Sequence, residues 1–217
     1  MCGRFNLLAS PEQVKAEFQL EQLAEYATSY NISPGQPILN ITQLEDNSFQ
    51  AAYTHWGLIP SWSKDRKISA HLINARAETL SEKPSFRGAY KKRRCLIPAT
   101  GFYEWHKTGD GKQAYHICRE DQQPFAFAGL WEYWEHDTET LYSCTIITTA
   151  ANALMQPIHE RMPVIIAKPH FQKWLDSHQS PAILQSLLAE DAYASMQLKP
   201  VSAWVNNPQH DGPNCLN

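Results

Sequence analysis

A cysteine stands directly after the first methionine, in the run Met1-Cys2-Gly3-Arg4. Removal of Met1 would leave Cys2 with a free α-amine beside its thiol, and its small side chain suits such removal. The amine titrates near pKa ~7.7–8.0 and the thiol near ~8.5, so both are partly nucleophilic at neutral pH. With an aldehyde the pair closes a five-membered thiazolidine ring. The alternative at this point is an incidental small residue in a frayed terminus.

Two further side chains could move protons. Glu104 stands between Tyr103 and Trp105 in an aromatic run. A partly desolvated carboxylate there would have a raised pKa, which suits proton transfer, unless it lies on an edge strand and points to water. His159 lies in the proline-bounded run 157–163 and can give or take a proton near neutral pH. No two histidines have zinc-protease spacing, so no metal is expected.

Charge is distributed unevenly along the 217 residues, although the net charge is only −3. Residues 61–112 hold twelve Lys and Arg against five Asp and Glu, a net charge of +7, and the remainder of the chain is acidic. A local positive field in an acidic protein indicates a site for a polyanion. A solvated basic loop around Lys91–Arg94 is the other interpretation.

The five cysteines are widely spaced and form no C-x-x-C pair, which argues against structural zinc. Their odd number favours buried free thiols in a reducing compartment. No secretory segment and no apolar run near 18 residues is present, so we expect a cytoplasmic protein with no membrane association.

Most of the secondary structure that must hold these side chains is predicted to be β-strand. Ser10, Pro11 and Gln13 predict a capped helix start. Residues 37–44 and 49–58 predict two strands, and hairpin-like strands follow from residue 95 to residue 149. Short helices are predicted over 150–155, 169–177 and 181–189, with strands over 162–167 and 197–201. The pattern predicts an α+β fold, residues 1–217 forming a single domain with a mainly antiparallel sheet.

Seven motifs in order resemble the SOS response-associated peptidase (SRAP) family of abasic-site processing proteins. They are Met1–Phe5, Tyr30-Asn31-Ile32, Trp56–Pro60, Ile73–Thr79, Arg94–Ala99, Gly101–Trp105 and His159–Val164, with Val201-Ser202 and Val205-Asn206 as a closing motif. Thr100 is a departure, since an acidic residue is more usual before that glycine. The resemblance implies a barrel-like antiparallel core with flanking helices.

The resemblance also implies a function: recognition of abasic sites in single-stranded DNA and a covalent crosslink through Cys2, with autoproteolytic removal of Met1. Asn74 would orient the terminal amine or the opened sugar, Glu104 would be the general acid/base, and His159 would assist proton transfer and reversal. The implied DNA contacts are Arg4, Arg76 and Arg161 to phosphates and Pro34, Trp62 and Phe86 to bases. The partner is then single-stranded DNA, with no cofactor, and the protein is expected to be a monomer, nucleoid-associated if bacterial.

Two other functions remain open from the sequence. Class II glutamine amidotransferases also begin Met-Cys-Gly, but they need a synthase domain and a substrate-carboxylate arginine motif that is not found here. A non-enzymatic module for single-stranded nucleic acid would bind intact and abasic strands alike and give no covalent product. Glutaminase activity and covalent adduct formation distinguish the three.

Overall fold

The computed structural model describes residues 2–109 and 111–217, which form two β-sheets with short helices around them. The strands in chain order are β1 (Phe5–Leu7), β2 (Ser29–Ile32), β3 (Pro37–Gln43), β4 (Phe49–Trp56), β5 (Asn74–Arg76), β6 (Arg94–Ala99), β7 (Gly101–Thr108), β8 (Gly111–Arg119), β9 (Phe125–His136), β10 (Glu139–Ala150), β11 (Arg161–Pro163), β12 (Ile165–Ile166) and β13 (Met196–Val201). The helices are α1 (Pro11–Phe18), α2 (Arg87–Lys92), α3 (Phe171–Leu175) and α4 (Pro181–Ala189). The predicted α+β class with a mainly antiparallel sheet is confirmed.

Five strands of the larger sheet close into a barrel in the order β10-β4-β3-β6-β9, with β9 pairing back to β10. All of these pairs are antiparallel except β4 with β10. The strands β5 and β11 add to β10, and β12 adds to β9. Closure leaves the central strands with few open edges, which is how a small antiparallel sheet avoids unpaired backbone groups.

The smaller sheet positions the start of the chain. Its order is β13-β8-β7-β1-β2, so β1 lies between β2 and β7. Phe5 pairs with Phe102, two residues before Glu104 on β7. A buried cluster joins this sheet to the barrel and includes Cys2, Phe5, Trp56 and Phe127. The segment that carries Cys2 is therefore held by strand pairing on both sides and by apolar packing.

The helices cover the other side of the barrel. Val14 of α1, Trp174 of α3 and Leu187 of α4 share a core cluster with Leu39 and Leu130 of the barrel. The helix start predicted at Ser10 is confirmed: the Ser10 hydroxyl accepts from the Gln13 N–H, and the Gln13 side chain accepts from the Ser10 N–H at 2.8 Å. This reciprocal capping satisfies backbone donors that the first turn would leave unpaired.

Two local predictions are wrong. Residues 150–155 do not form a helix: 150 ends β10 and the following residues make turns. The apolar run 162–167 is not one strand but two, β11 paired with β10 and β12 paired with β9. Val164 lies between them and bonds to both barrel strands: its N–H donates to the Ile147 carbonyl oxygen of β10, and its carbonyl oxygen accepts from the Ala128 N–H of β9. In the described residues, no helix is long and apolar enough to cross a membrane.

Thr100 has a structural role at the turn between β6 and β7. Its hydroxyl accepts from the Leu8 N–H at 2.9 Å and donates to Asn6 Oδ1 at 2.8 Å. Asn6 Nδ2 also contacts the Tyr103 hydroxyl and His116 Nε2, so a buried polar network fixes β1 against β7 and β8. The effect of Thr100 is therefore on the geometry around β1.

Candidate active site around Cys2

Cys2 is completely buried, with 0% of its surface exposed. It lies three residues before β1, inside the cluster that joins the two sheets. Burial is the main cause that raises the pKa of the Cys2 thiol far above its usual range, and the nearby Glu104 carboxylate raises it further. The thiol is therefore protonated at rest and needs a base when it reacts.

Asn74 holds the backbone of the cysteine. It begins β5, which pairs in parallel with β10 at Ile146, and its Nδ2 donates to the Cys2 carbonyl oxygen at 2.9 Å. The preceding carbonyl, of Ile73, accepts from Trp56 Nε1 at 2.9 Å and from the Ile146 N–H, so the start of β5 is itself fixed. Asn74 Oδ1 is buried and has no hydrogen-bond partner among the described residues. That oxygen can accept a hydrogen bond from a donor group at the site.

Glu104 does not point to water, since only 4% of the residue is exposed and β7 lies inside its sheet. The edge-strand interpretation is therefore wrong. Burial raises the pKa of the Glu104 carboxyl, and the proximity of His159 opposes that rise. A carboxyl of this kind exchanges a proton nearer neutral pH than an exposed glutamate does, which is a requirement for general acid/base work.

His159 is half-buried and its ring orientation is set by its own loop. Nδ1 accepts from the Arg161 N–H at 3.0 Å, just before β11 begins. In the neutral ring this contact places the remaining proton on Nε2, because a nitrogen that accepts cannot carry the hydrogen. His159 can therefore donate through Nε2 while the loop keeps it in place.

Sequence reasoning did not single out Tyr193. Its ring lies in the same buried cluster as Cys2 and meets Phe102 edge to face, with 6.4 Å between centroids. The Tyr193 hydroxyl donates to the Pro163 carbonyl oxygen at 2.6 Å. Burial is the largest cause that raises the pKa of this phenol, and Cys2 and Glu104 add to the rise. Tyr193 is thus a neutral, water-excluding wall of the site, and no local sequence signal marks it.

Arg161 is paired with a carboxylate that sequence reasoning also missed. Its Nη1 and Nη2 donate to the two oxygens of Glu78 at 2.7 and 2.9 Å, and Nη2 also donates to the Thr148 carbonyl oxygen at 2.7 Å. The Arg161 guanidinium lowers the pKa of Glu78. Glu78 lies within the motif 73–79, but only tertiary structure brings it to Arg161.

Arg4 is held by the end of the chain. Its Nη1 donates to Asn31 Oδ1 at 2.8 Å and to the Val205 carbonyl oxygen at 2.9 Å, and the guanidinium lies over the Trp105 ring. Asn31 in turn donates to the Asn207 and His210 carbonyl oxygens. The closing motif therefore holds the side chain of Arg4, two residues beyond Cys2.

The remaining predicted contacts differ in exposure. Trp62 is 58% exposed, and Pro34 and Arg76 are also exposed. Phe86 is only 7% exposed and packs in the helix-side core, so it offers no open ring face. Trp62 is the open aromatic platform of the set.

All five cysteines are free and buried, which confirms the prediction of unpaired thiols. No group of three His, Cys, Asp or Glu side chains suited to a metal ion occurs in the described part of the chain.

The arrangement brings the Cys2 thiol, the Asn74 amide and the Glu104 carboxyl, with His159 nearby, into the buried region where the two sheets meet. Residues 1–208 match the sequence profile of the SOS response associated peptidase (SRAP) family, and the chain belongs to that family.

Relatives and solved structures extend this comparison. The abasic site processing protein YoqW of Bacillus subtilis is 43% identical, with all of this chain and 99% of that protein covered. The abasic site processing protein HMCES of Xenopus tropicalis is 33% identical, covering all of this chain and 78% of that protein. A crystal structure of a protein from Bacteroides thetaiotaomicron superimposes with a TM-score of 0.86 at 28% identity, over 99% of this chain and 98% of that one.

Proposed function

We propose that this protein processes abasic sites in single-stranded DNA by forming a covalent thiazolidine crosslink through Cys2 once Met1 has been removed. The names of its relatives support abasic sites as the substrate. The observation that carries the mechanism is that Cys2 and Glu104 are both buried and near enough for the carboxylate to raise the pKa of the thiol, while burial raises the pKa of the Glu104 carboxyl itself.

The chemistry balances with one water released. A ring-opened abasic deoxyribose presents an aldehyde, and the Cys2 α-amine adds to its carbonyl carbon to give a carbinolamine. Loss of water gives an imine, and the thiol sulfur then adds to the imine carbon while its proton ends on nitrogen. A C–N and a C–S bond have formed, and the carbonyl oxygen leaves as water.

Glu104 is the residue best suited to move these protons. In its neutral form it can protonate the departing hydroxyl, and the resulting carboxylate can take the thiol proton. The oxygen on carbon 4 of the sugar must also gain a proton as the ring opens and lose it as the ring closes, and His159 is suited to that exchange. Asn74 keeps the Cys2 backbone in place, so both nucleophiles meet one carbon as an intramolecular pair.

Release of Met1 is proposed to be autoproteolytic and to use the same proton donors. The peptide bond between Met1 and Cys2 is cleaved with the consumption of one water and frees the amine that the crosslink needs. We further propose that the protein acts as a monomer in the cytoplasm.

Intact mass measurement tests the function. After purification the protein should lack one methionine, and mixing with an abasic single-stranded oligonucleotide should add the oligonucleotide mass less one water. An undamaged oligonucleotide and one with a tetrahydrofuran in place of the abasic sugar, which has no aldehyde, should add nothing. Absence of the adduct would favour a binding module, and glutamine hydrolysis without an adduct would favour an amidohydrolase.

A further inference from the structure

Two adjacent clefts run along α2 and share Arg87 and Gly88 in their walls. The first is also lined by the exposed Trp62 and by Pro84, and Trp62 Nε1 points to the Pro84 carbonyl oxygen. The second continues to Lys91 and Lys92. We call the two together the α2 groove. It starts at the exposed aromatic platform and ends at a pair of lysines.

The basic residues of this segment have different roles. Arg93 is paired with Glu132 at 2.7 Å, so its charge is already matched. Arg87, Lys91 and Lys92 are exposed and have no carboxylate within 4.0 Å in the described part of the chain. The second cleft has no Asp or Glu among its described lining residues. Its field is therefore positive and uncompensated, which favours a polyanion.

Arg94 makes the groove rigid and keeps the lysines available. Its Nη1 donates to the Tyr90 and Lys91 carbonyl oxygens at 2.6 and 2.9 Å, and its Nε donates to the Trp174 carbonyl oxygen at 2.7 Å. Nη2 donates to the Asp176 carbonyl oxygen. This buried guanidinium occupies the last carbonyls of α2 and ties them to α3. The lysine ammonium groups are thereby left to project into solvent rather than cap their own helix.

We propose that the α2 groove binds the phosphate backbone of the same DNA strand where it leaves the crosslinking site past Trp62, with Lys91 and Lys92 as its distal contacts. This inference rests on the proposed function. Trp62 is the exposed ring among the base contacts expected for the strand at Cys2, so continuity of the groove with the Trp62 cleft favours that strand over an unrelated anion. Basic grooves that begin at an aromatic platform are a common way to follow single-stranded DNA.

The test measures noncovalent binding against salt concentration with three oligonucleotides that carry a tetrahydrofuran abasic analogue. One is minimal, with two nucleotides on each side of the lesion, one is extended only on the 5′ side and one only on the 3′ side. The variants are Lys91→Gln/Lys92→Gln and a matched control with the same charge change, Lys173→Gln/Lys199→Gln, at exposed lysines outside the groove.

With the unaltered protein, one extension should bind more tightly than the minimal strand. The groove variant should lose that gain and flatten the salt slope for that strand by up to about 1.4, at about 0.7 per lost phosphate contact on single strands. It should bind the minimal strand as the unaltered protein does, and the control should match the unaltered protein throughout.

Equal losses on the minimal and extended strands, or no loss on either, would overturn the proposal. So would the absence of any gain from both extensions in the unaltered protein. Failure of the proposed function is seen separately, as the lack of a covalent product with a true abasic strand, while these binding measurements still decide the groove.

Discussion

The buried site around Cys2 and the α2 groove have opposite physical characters. The site is buried, and hydrogen bonds fix its framework, as when Asn74 Nδ2 donates to the Cys2 carbonyl oxygen. The groove is open, and within the described residues its exposed Arg87, Lys91 and Lys92 have no carboxylate within 4.0 Å. Fixed geometry and shifted pKa values favour covalent chemistry, whereas exposed positive charge favours the binding of a flexible polyanion. Substitutions at the Cys2 site should therefore abolish or strongly slow crosslink formation. Substitutions at the groove and the nearby arginines should weaken DNA binding by smaller amounts that depend on salt.

The largest effect is expected at Cys2. Cys2→Ala keeps the terminal amine but loses sulfur, so an imine can form but cannot close the ring. The stable adduct should vanish under denaturing conditions, and borohydride should restore a trapped adduct by reducing the imine. Electrophoresis and intact mass report both results.

The matched variant blocks the other nucleophile by adding one residue before Cys2. A thiol alone adds to an aldehyde reversibly, so this protein should give no heat-stable adduct. A heat-stable crosslink in it would mean that the thiazolidine mechanism is wrong and that sulfur alone makes the link.

Glu104→Gln should slow crosslink formation by about 10²–10⁴-fold. Because burial raises the pKa of the Glu104 carboxyl above its usual 4.5, its neutral form, which protonates the departing hydroxyl, persists to a higher pH. The rate should therefore fall with rising pH through a limb above 4.5, and this limb should be missing in the variant. Glu120→Gln, at an exposed carboxyl, is the control. Identical pH–rate profiles for both variants would remove Glu104 from the mechanism.

The buried network beneath β1 should make stability depend on pH. Burial lowers the pKa of His116 from 6.5 to about 4, so the folded protein keeps this ring neutral. The contribution of neutral His116 to the free energy of unfolding is complete above pH 6.5. It is lost as the pH falls toward 4, which lowers the free energy of unfolding by about 3 kcal/mol. Urea unfolding at pH 7 and pH 4.5 should show a smaller decrease for His116→Gln than for the unaltered protein. The exposed His178→Gln should leave the decrease unchanged.

The smallest effects are expected at the arginines on the rim of the site. Arg161→Ala or Arg76→Ala should weaken binding to single strands and flatten the salt slope by up to about 0.7 each. Glu78→Gln should steepen the slope, because it removes the carboxylate that now pairs with Arg161. Glu82→Gln, at an exposed carboxyl nearby, is the comparison. Unchanged slopes for both arginine variants would place the DNA elsewhere on the protein.

Local patterns could be predicted where the physics is local. The capping box at Ser10 and the hairpin between residues 37 and 56 involve neighbours in the chain, and both are found as expected. The helix predicted over 150–155 failed because strand pairing with β11 extends β10 to residue 150, and beyond it the Asn152 side chain accepts from the Met155 N–H in a turn. Sheet partners are distant in sequence, so a short apolar run cannot reveal them.

The sequence by itself determined the candidate nucleophile Cys2, the strand-rich α+β class, the segregation of positive charge and, through its ordered motifs, the family. Tertiary structure decided which charges are available: it buries Glu104 and Arg94, pairs Arg161 with Glu78, and leaves Lys91 and Lys92 open. It also decided that Phe86 is core and Trp62 is surface. The physical reason is that desolvation and pairing, which set a side chain's protonation and reach, depend on groups brought together only by the closed barrel and the sheet beside it.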